Sequence, residues 1–251
     1  MNYIASITDF FKSPKWVMNL LLGGVCCLIP IVGPMVVVGW LITGFWARQE
    51  ENYVTFPEFD FGKFGKNLER GLWPLLVGIV AGIVVVPIIL IFEFIVFFIL
   101  GSAMGRHASG FTSILAGLVV LAFVGVIGAV VSVVMTPIYL RAARMQDFAP
   151  AFNFGYIKRF ASAMWKEILL AFLFSFAVGV ALMIPGMIPC LGALIIFFCI
   201  PAMMFMHLHL GNQIYKLSLT RGLEAIPLSP KLTTPEPPAG APPVAPLPPA
   251  A

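Results

Sequence analysis

Few residues in this chain are equipped for chemistry, and they fall into three groups. The first lies in "TFPEFDFGKFGKNLERG", residues 55–71, the most polar stretch of a nearly oily sequence. Glu58 and Asp60 stand two apart there, and on an extended segment that spacing puts both carboxylates on one side. Such a pair has the composition of a general acid and base. The second is Glu93, a carboxylate inside a long apolar run. Burying its charge costs about 2.5–3.5 kcal/mol on insertion scales, so intramembrane acids are functional suspects. The third is "PAMMFMHLHL", residues 201–210, where Met203, Met204, Met206, His207 and His209 offer thioether and imidazole groups suited to copper(I).

Each group has a plainer reading. Residues two apart on a helix point to nearly opposite faces, so His207 and His209 would not chelate one ion together. Packing near a membrane interface is the favoured reading there. Cys26, Cys27, Cys190 and Cys199 sit in apolar runs without a CxxC spacing and read as small buried hydrophobes. For Glu93 two readings stay open. One is an ion or proton site on a polar pathway; the other is a carboxyl hydrogen-bonded to a neighbour or reaching the outer interface. Helical spacing sets Glu93 on the face of Gly78 and Gly82, whose Gly-x-x-x-Gly pattern predicts close helix packing. The sequence holds no P-loop, HExxH or GxSxG pattern. No enzyme activity, cofactor or metal is expected.

The elements that carry these residues follow from composition. The chain is 60% hydrophobic and 10% charged, against about 25% charged for a soluble domain. Apolar runs at 16–48, 72–100, 111–140, 165–184 and 188–210 include several that reach the roughly 20 residues needed to cross a bilayer core. They lack the period-2 alternation of an outer-membrane barrel, so they read as helices. Proline and glycine in "IPIVG" at 29–33 and "IPCLG" at 188–192 break two runs into hairpins. The expected class is all-α: a polytopic transmembrane bundle of about six helices at 14–29, 34–48, 72–100, 112–140, 165–184 and 188–211. The arms 14–29 and 34–48 are about 24 Å long, so that hairpin either spans a thinned bilayer or is re-entrant.

An internal parallel repeat is also expected. "FPEFDFGKF" at 56–64 and "APAFNFGYI" at 149–157 align at a fixed offset. Pro57, Phe59, Phe61 and Gly62 pair with Pro150, Phe152, Phe154 and Gly155, and Arg48 pairs with Arg141. Repeat units then cover about 34–100 and 112–184, flanked by hairpins 14–48 and 165–211. At the positions of Glu58 and Asp60 the second copy has Ala151 and Asn153, so the repeat lends no support to an acid–base pair. After each Pro-x-Phe-x-Phe-Gly, apolar residues recur on one helical face: Phe64, Leu68 and Leu72, then Ile157, Phe160, Ala161 and Met164. These predict two short amphipathic helices lying in the membrane interface with cations toward anionic headgroups.

Six helices put the N-terminus, both links and the C-terminal tail on one side, with every Lys and Arg except Arg106. By the positive-inside rule that side is cytoplasmic. The expected location is therefore the cytoplasmic membrane, multi-pass, with both termini inside. The tail, 216–251, is proline-rich and is expected to be disordered. The membrane domain is then 1–215.

"LLLGGVCCLIPIVGPMVVVGWLITGFWARQ" followed by "FPEFDFGKFGKNLERGL" resembles domain-of-unknown-function family 4013, prokaryotic polytopic membrane proteins. Gly23, Pro30, Gly33, Gly39, Arg48, Pro57, Glu58, Phe59, Asp60 and Gly71 carry the resemblance over about residues 16–80, with weaker similarity onward to 215. It implies a membrane fold and location but brings no activity and no functional residues. The leading expectation is a non-catalytic membrane-organising or partner-holding scaffold. Its partners would be the bilayer, anionic headgroups and a protein, and not nucleic acid. The rival is a small-solute or ion transporter using Glu93.

Overall fold

The computed structural model describes residues 1–48, 52–104, 110–188 and 191–233. Among them the chain is helical, with no strand: α1 (Tyr3–Thr8), α2 (Trp16–Cys27), α3 (Val32–Trp46), α4 (Phe64–Met104), α5 (Gly110–Met145), α6 (Phe154–Gly186), α7 (Leu191–Thr220) and the single turn α8 (Pro230–Thr233). Short 3-10 turns cover Asp9–Lys12, Tyr53–Thr55, Phe61–Lys63 and Ala149–Phe152. Among the described residues three segments are long and apolar enough to cross a membrane: Phe61–Ile99, Gly117–Met145 and Phe154–Gly186. Residues on their distal parts, such as Ile83, Phe97 and Val126, point outward, as lipid-facing helices require.

The α2–α3 hairpin is short. Its arms hold 12 and 15 residues, or about 18 and 22 Å, well under the roughly 30 Å hydrocarbon core. Its turn is strained: Ile31 sits at φ 65°, a region that β-branched residues avoid. A side chain on Gly33 would run into the Cys26 carbonyl, so only glycine lets α3 start this close to the end of α2.

Apolar burial gains little against lipid tails, so helix association here leans on close backbone approach and interhelical hydrogen bonds. The closest crossing is α3 on α4. Gly39 lies against the Asn67 carbonyl, and Gly71 lies reciprocally against the Met35 carbonyl. The expected seam at Gly78 and Gly82 is not there: a β-carbon on either would meet open space. Glycine spacing identifies a smooth face, but which face receives a neighbour depends on where the next helix runs.

The amphipathic links also differ from expectation. They are not separate interfacial helices but the first turns of α4 and α6. Their apolar faces meet protein rather than lipid. Tyr156, Ile157, Phe160 and Met164 are buried, and Phe64 and Leu68 pack on the main core. The helix continues through Pro74, and the hydrogen bond that the proline removes is replaced from outside the helix. Pro74 has no N–H for the Arg70 carbonyl, and the Gln146 side-chain amide donates to that oxygen at 3.2 Å.

The expected boundary at 216 moves as well. α7 continues to Thr220, the helix closes on Gly222 at φ 79°, and residues 223–233 fold back across the helix ends. Ile226 and Leu232 are fully buried there. Residues 234–251, most of the proline-rich tail, lie outside the described residues, as do Arg106 and Cys190.

Candidate functional site

The ends of α3, α5 and α7 and the starts of α4 and α6 form a polar base, where most of the described charged side chains collect. Its two links are fastened in parallel ways. After α3, Arg48 donates to the Asn52 carbonyl at 3.3 Å and also to the Thr55 hydroxyl. After α5, Arg141 Nε donates to the Pro150 carbonyl at 2.9 Å while its guanidinium covers the Tyr156 ring at 4.8 Å. Each exit arginine thus closes the loop that follows it.

Asp60 and Asn153, which differ between the copies, share a role. The Asp60 carboxylate accepts from the Gly62 N–H at 2.8 Å, and the Asn153 side chain accepts from the Tyr156 N–H at 2.9 Å. Both are helix-start caps. Gly62 and Gly155 belong to the same device, because a β-carbon at either would stand 3.1 or 3.4 Å from the capping oxygen. That both Asp and Asn are favoured caps was the available sequence signal.

Glu58 and Asp60 do not form one site. Glu58 reaches Lys15 at 2.7 Å while Asp60 turns to its cap. Around them the first link is pinned under the hairpin. The Trp40 indole donates to the Pro57 carbonyl at 2.9 Å, and the Phe59 N–H donates to Asn19 at 2.8 Å. Phe56 and Phe59 each meet Trp40 edge to face at 5.5 Å. Phe59 is buried and Phe152 half-buried, whereas Phe61 and Phe154 are exposed.

The N-terminal segment docks on α7 through His209. Asn2 fixes the Gln213 amide, its N–H donating to Oε1 at 2.6 Å and its carbonyl accepting from Nε2 at 2.9 Å. Gln213 Nε2 also lies 2.9 Å from His209 Nδ1. An amide N–H can only donate, so Nδ1 accepts and Nε2 carries the proton. Nε2 then donates to Asp9 at 3.1 Å, and Lys12 pairs with the other carboxylate oxygen at 2.7 Å. His207 is elsewhere: exposed, with Nδ1 donating to the Met203 carbonyl at 2.7 Å.

Across the base runs the 223–233 strap, unforeseen from the sequence. Ser229 N–H donates to the Arg144 carbonyl at 2.9 Å, and Ile226 N–H to the Tyr215 hydroxyl at 3.1 Å. Lys231 pairs with Glu69 at 2.7 Å, and Arg70 donates both to the Lys231 carbonyl at 3.2 Å and to Thr43 at 2.6 Å. Just before the strap, Arg221 is hydrogen-bonded to Glu167, which raises its pKa above the ordinary guanidinium value.

Between α3, α5, α6 and α7, next to the base, lies a cavity of about 440 Å³, within the size range of small-molecule sites. Its wall is almost wholly apolar. The polar side chains on it include Ser132, Thr136, Tyr139, Ser175 and His207, and no carboxylate or lysine lines it. Glu93 is not part of it. That residue is half-buried farther along α4, beside the exposed Leu90, Ile91 and Phe94, with no side-chain partner among the described residues.

The fold and this base define an all-α, membrane-embedded helical protein. The sequence profile of the family described as "Protein of unknown function (DUF4013)" matches residues 22–191, so the chain belongs to that family. No curated protein and no solved structure matches it.

Proposed function

We propose that this is a non-catalytic integral protein of the cytoplasmic membrane. Its base faces the cytoplasm and organises the inner leaflet, or holds a partner there, through contacts with anionic headgroups. One observation carries the reading. The charged and amide side chains of the base are spent on fastening links, chain ends and caps, as Arg48, Asp60, Arg70, Arg141, Asn153 and His209 illustrate. Groups so engaged hold a scaffold and do not face a reaction space. Around them Lys12, Lys15, Lys63, Lys158, Arg159 and Lys166 are exposed, with Lys12, Lys15 and Arg159 in ion pairs, and exposed cations suit attraction to anionic lipid.

The test is reconstitution. Native mass spectrometry from mixed nanodiscs should retain phosphatidylglycerol over phosphatidylcholine, and Lys158→Gln with Arg159→Gln should weaken that preference. Proton or sodium flux into proteoliposomes that disappears in Glu93→Gln would sink the scaffold reading in favour of a transporter.

A further inference from the structure

We propose that the cavity between α3, α5, α6 and α7 is a binding site for an uncharged single-chain amphiphile, such as a monoacylglycerol. The chemistry of the wall excludes most alternatives. An ion or a charged solute brought here would lose its hydration and find no opposite charge among the lining residues. Water fits poorly against so apolar a surface.

The shape selects among apolar occupants. The lining runs from Ser132 to Leu140 on α5 and from Met204 to Ile214 on α7, a height of about 12–15 Å at 1.5 Å per residue. That is one leaflet of a core roughly 30 Å thick. Spread over that height, 440 Å³ makes a slot about 5–6 Å across. Carbons in contact sit about 3.5–4.0 Å apart, so the slot is on the scale of a single acyl chain.

The polar groups say that the chain carries a head. Tyr139 and Ser175 line the cavity, and neither hydroxyl has a hydrogen-bond partner among the described residues. The Nδ1 proton of His207 is taken by Met203, which leaves Nε2 to accept. The Ser132 and Thr136 hydroxyls are already donating to the Ala129 and Ser132 carbonyls. Two free hydroxyls and one imidazole acceptor match glycerol hydroxyls and an ester carbonyl. A plain hydrocarbon would leave the two hydroxyls unanswered.

Trp46 lines the same cavity and reports on it. Brominated chains quench tryptophan on contact. The full chain in phosphatidylcholine nanodiscs is titrated with dibromostearoyl glycerol, and the Trp46 contribution is taken as the difference from Trp46→Phe. Saturable quenching at one ligand per protein is expected. Tyr139→Phe should weaken it about 2- to 10-fold, the worth of one hydrogen bond. Ser175→Phe, which fills the slot, should abolish saturation while its Tm shows that it still folds, and Ser175→Ala, which removes only a hydroxyl, should keep saturation but weaken binding about as much as Tyr139→Phe does. Dibromostearate held anionic at alkaline pH should bind far more weakly. Quenching that never saturates and ignores Ser175→Phe would overturn the proposal, as would equal affinity for the carboxylate. Neither result depends on whether the base binds anionic lipid.

Discussion

The carbonyl oxygen of Arg70 accepts the side-chain amide of Gln146 at 3.2 Å, across the α4–α5 boundary. It is available because Pro74, four residues on, has no N–H to offer it. The two residues therefore form one unit with the proline. Gln146→Met should lower stability by about 1–3 kcal/mol, the cost of leaving a buried carbonyl unpaired. Pro74→Ala restores the helical donor, so the same glutamine change should then cost measurably less. Thermal unfolding of the four variants in nanodiscs gives the cycle, and simple additivity would contradict the coupling.

The glycines of α4 separate by environment. Gly71→Ala forces a β-carbon into the Met35 carbonyl, and Gly39→Ala does the same at Asn67. Each should destabilise by at least about 1–3 kcal/mol, the usual range for overpacking. Gly78→Ala and Gly82→Ala meet nothing, and the gain in helix propensity should make them neutral or stabilising by up to about 1 kcal/mol. Tm measurements on the four single variants check the ordering.

Both caps should behave alike despite their different side chains. Asp60→Ala and Asn153→Ala should each cost about 0.5–2 kcal/mol. Asp60→Asn and Asn153→Asp, which keep an acceptor oxygen, should cost much less. A loss on Asp60→Asn as large as on Asp60→Ala would mean that the charge itself matters.

Asp9 and His209 are a buried pair. Asp9→Ala strands the buried imidazole N–H and the N-terminal segment that it anchors, for an expected loss of about 1–3 kcal/mol. Protease should then cut within residues 1–12 at concentrations that spare the parent chain.

The strap predicts a sharp dependence on length. Ending the chain at Thr220 removes Ile226, Leu232 and the Lys231–Glu69 pair and should lower Tm by several degrees.

The helical class and the family were legible from the runs of apolar residues and from "IPIVG" and "FPEFDF". The joining of the links to α4 and α6 was not. A face carrying Phe160 and Met164 is apolar whether it meets lipid or protein, and only the position of α7 and the strap decides which. The strap was hidden among prolines, although Leu223, Ile226, Leu228 and Leu232 mark an apolar rhythm that a disordered tail does not need. Glycine pairs were visible, but Gly39 and Gly71 lie on different helices, so no spacing rule joins them. The cavity could not be read at all, because it is made by what four helices fail to fill.

The short hairpin has a consequence for the bilayer itself. α2 and α3 meet at Leu28, Ile29 and Ile31, all exposed and all apolar, and their arms of 12 and 15 residues hold fewer than half the residues of α4, α5 or α6, with 41, 36 and 33. In the orientation proposed above, with the base at one face and the hairpin tip ending within the core, the leaflet on the side of the base would give up area to two more helices than the opposite leaflet. A molecule with unequal cross-sections at its two ends is a wedge, and many such wedges in one membrane favour bending it toward the narrow side's deficit of area.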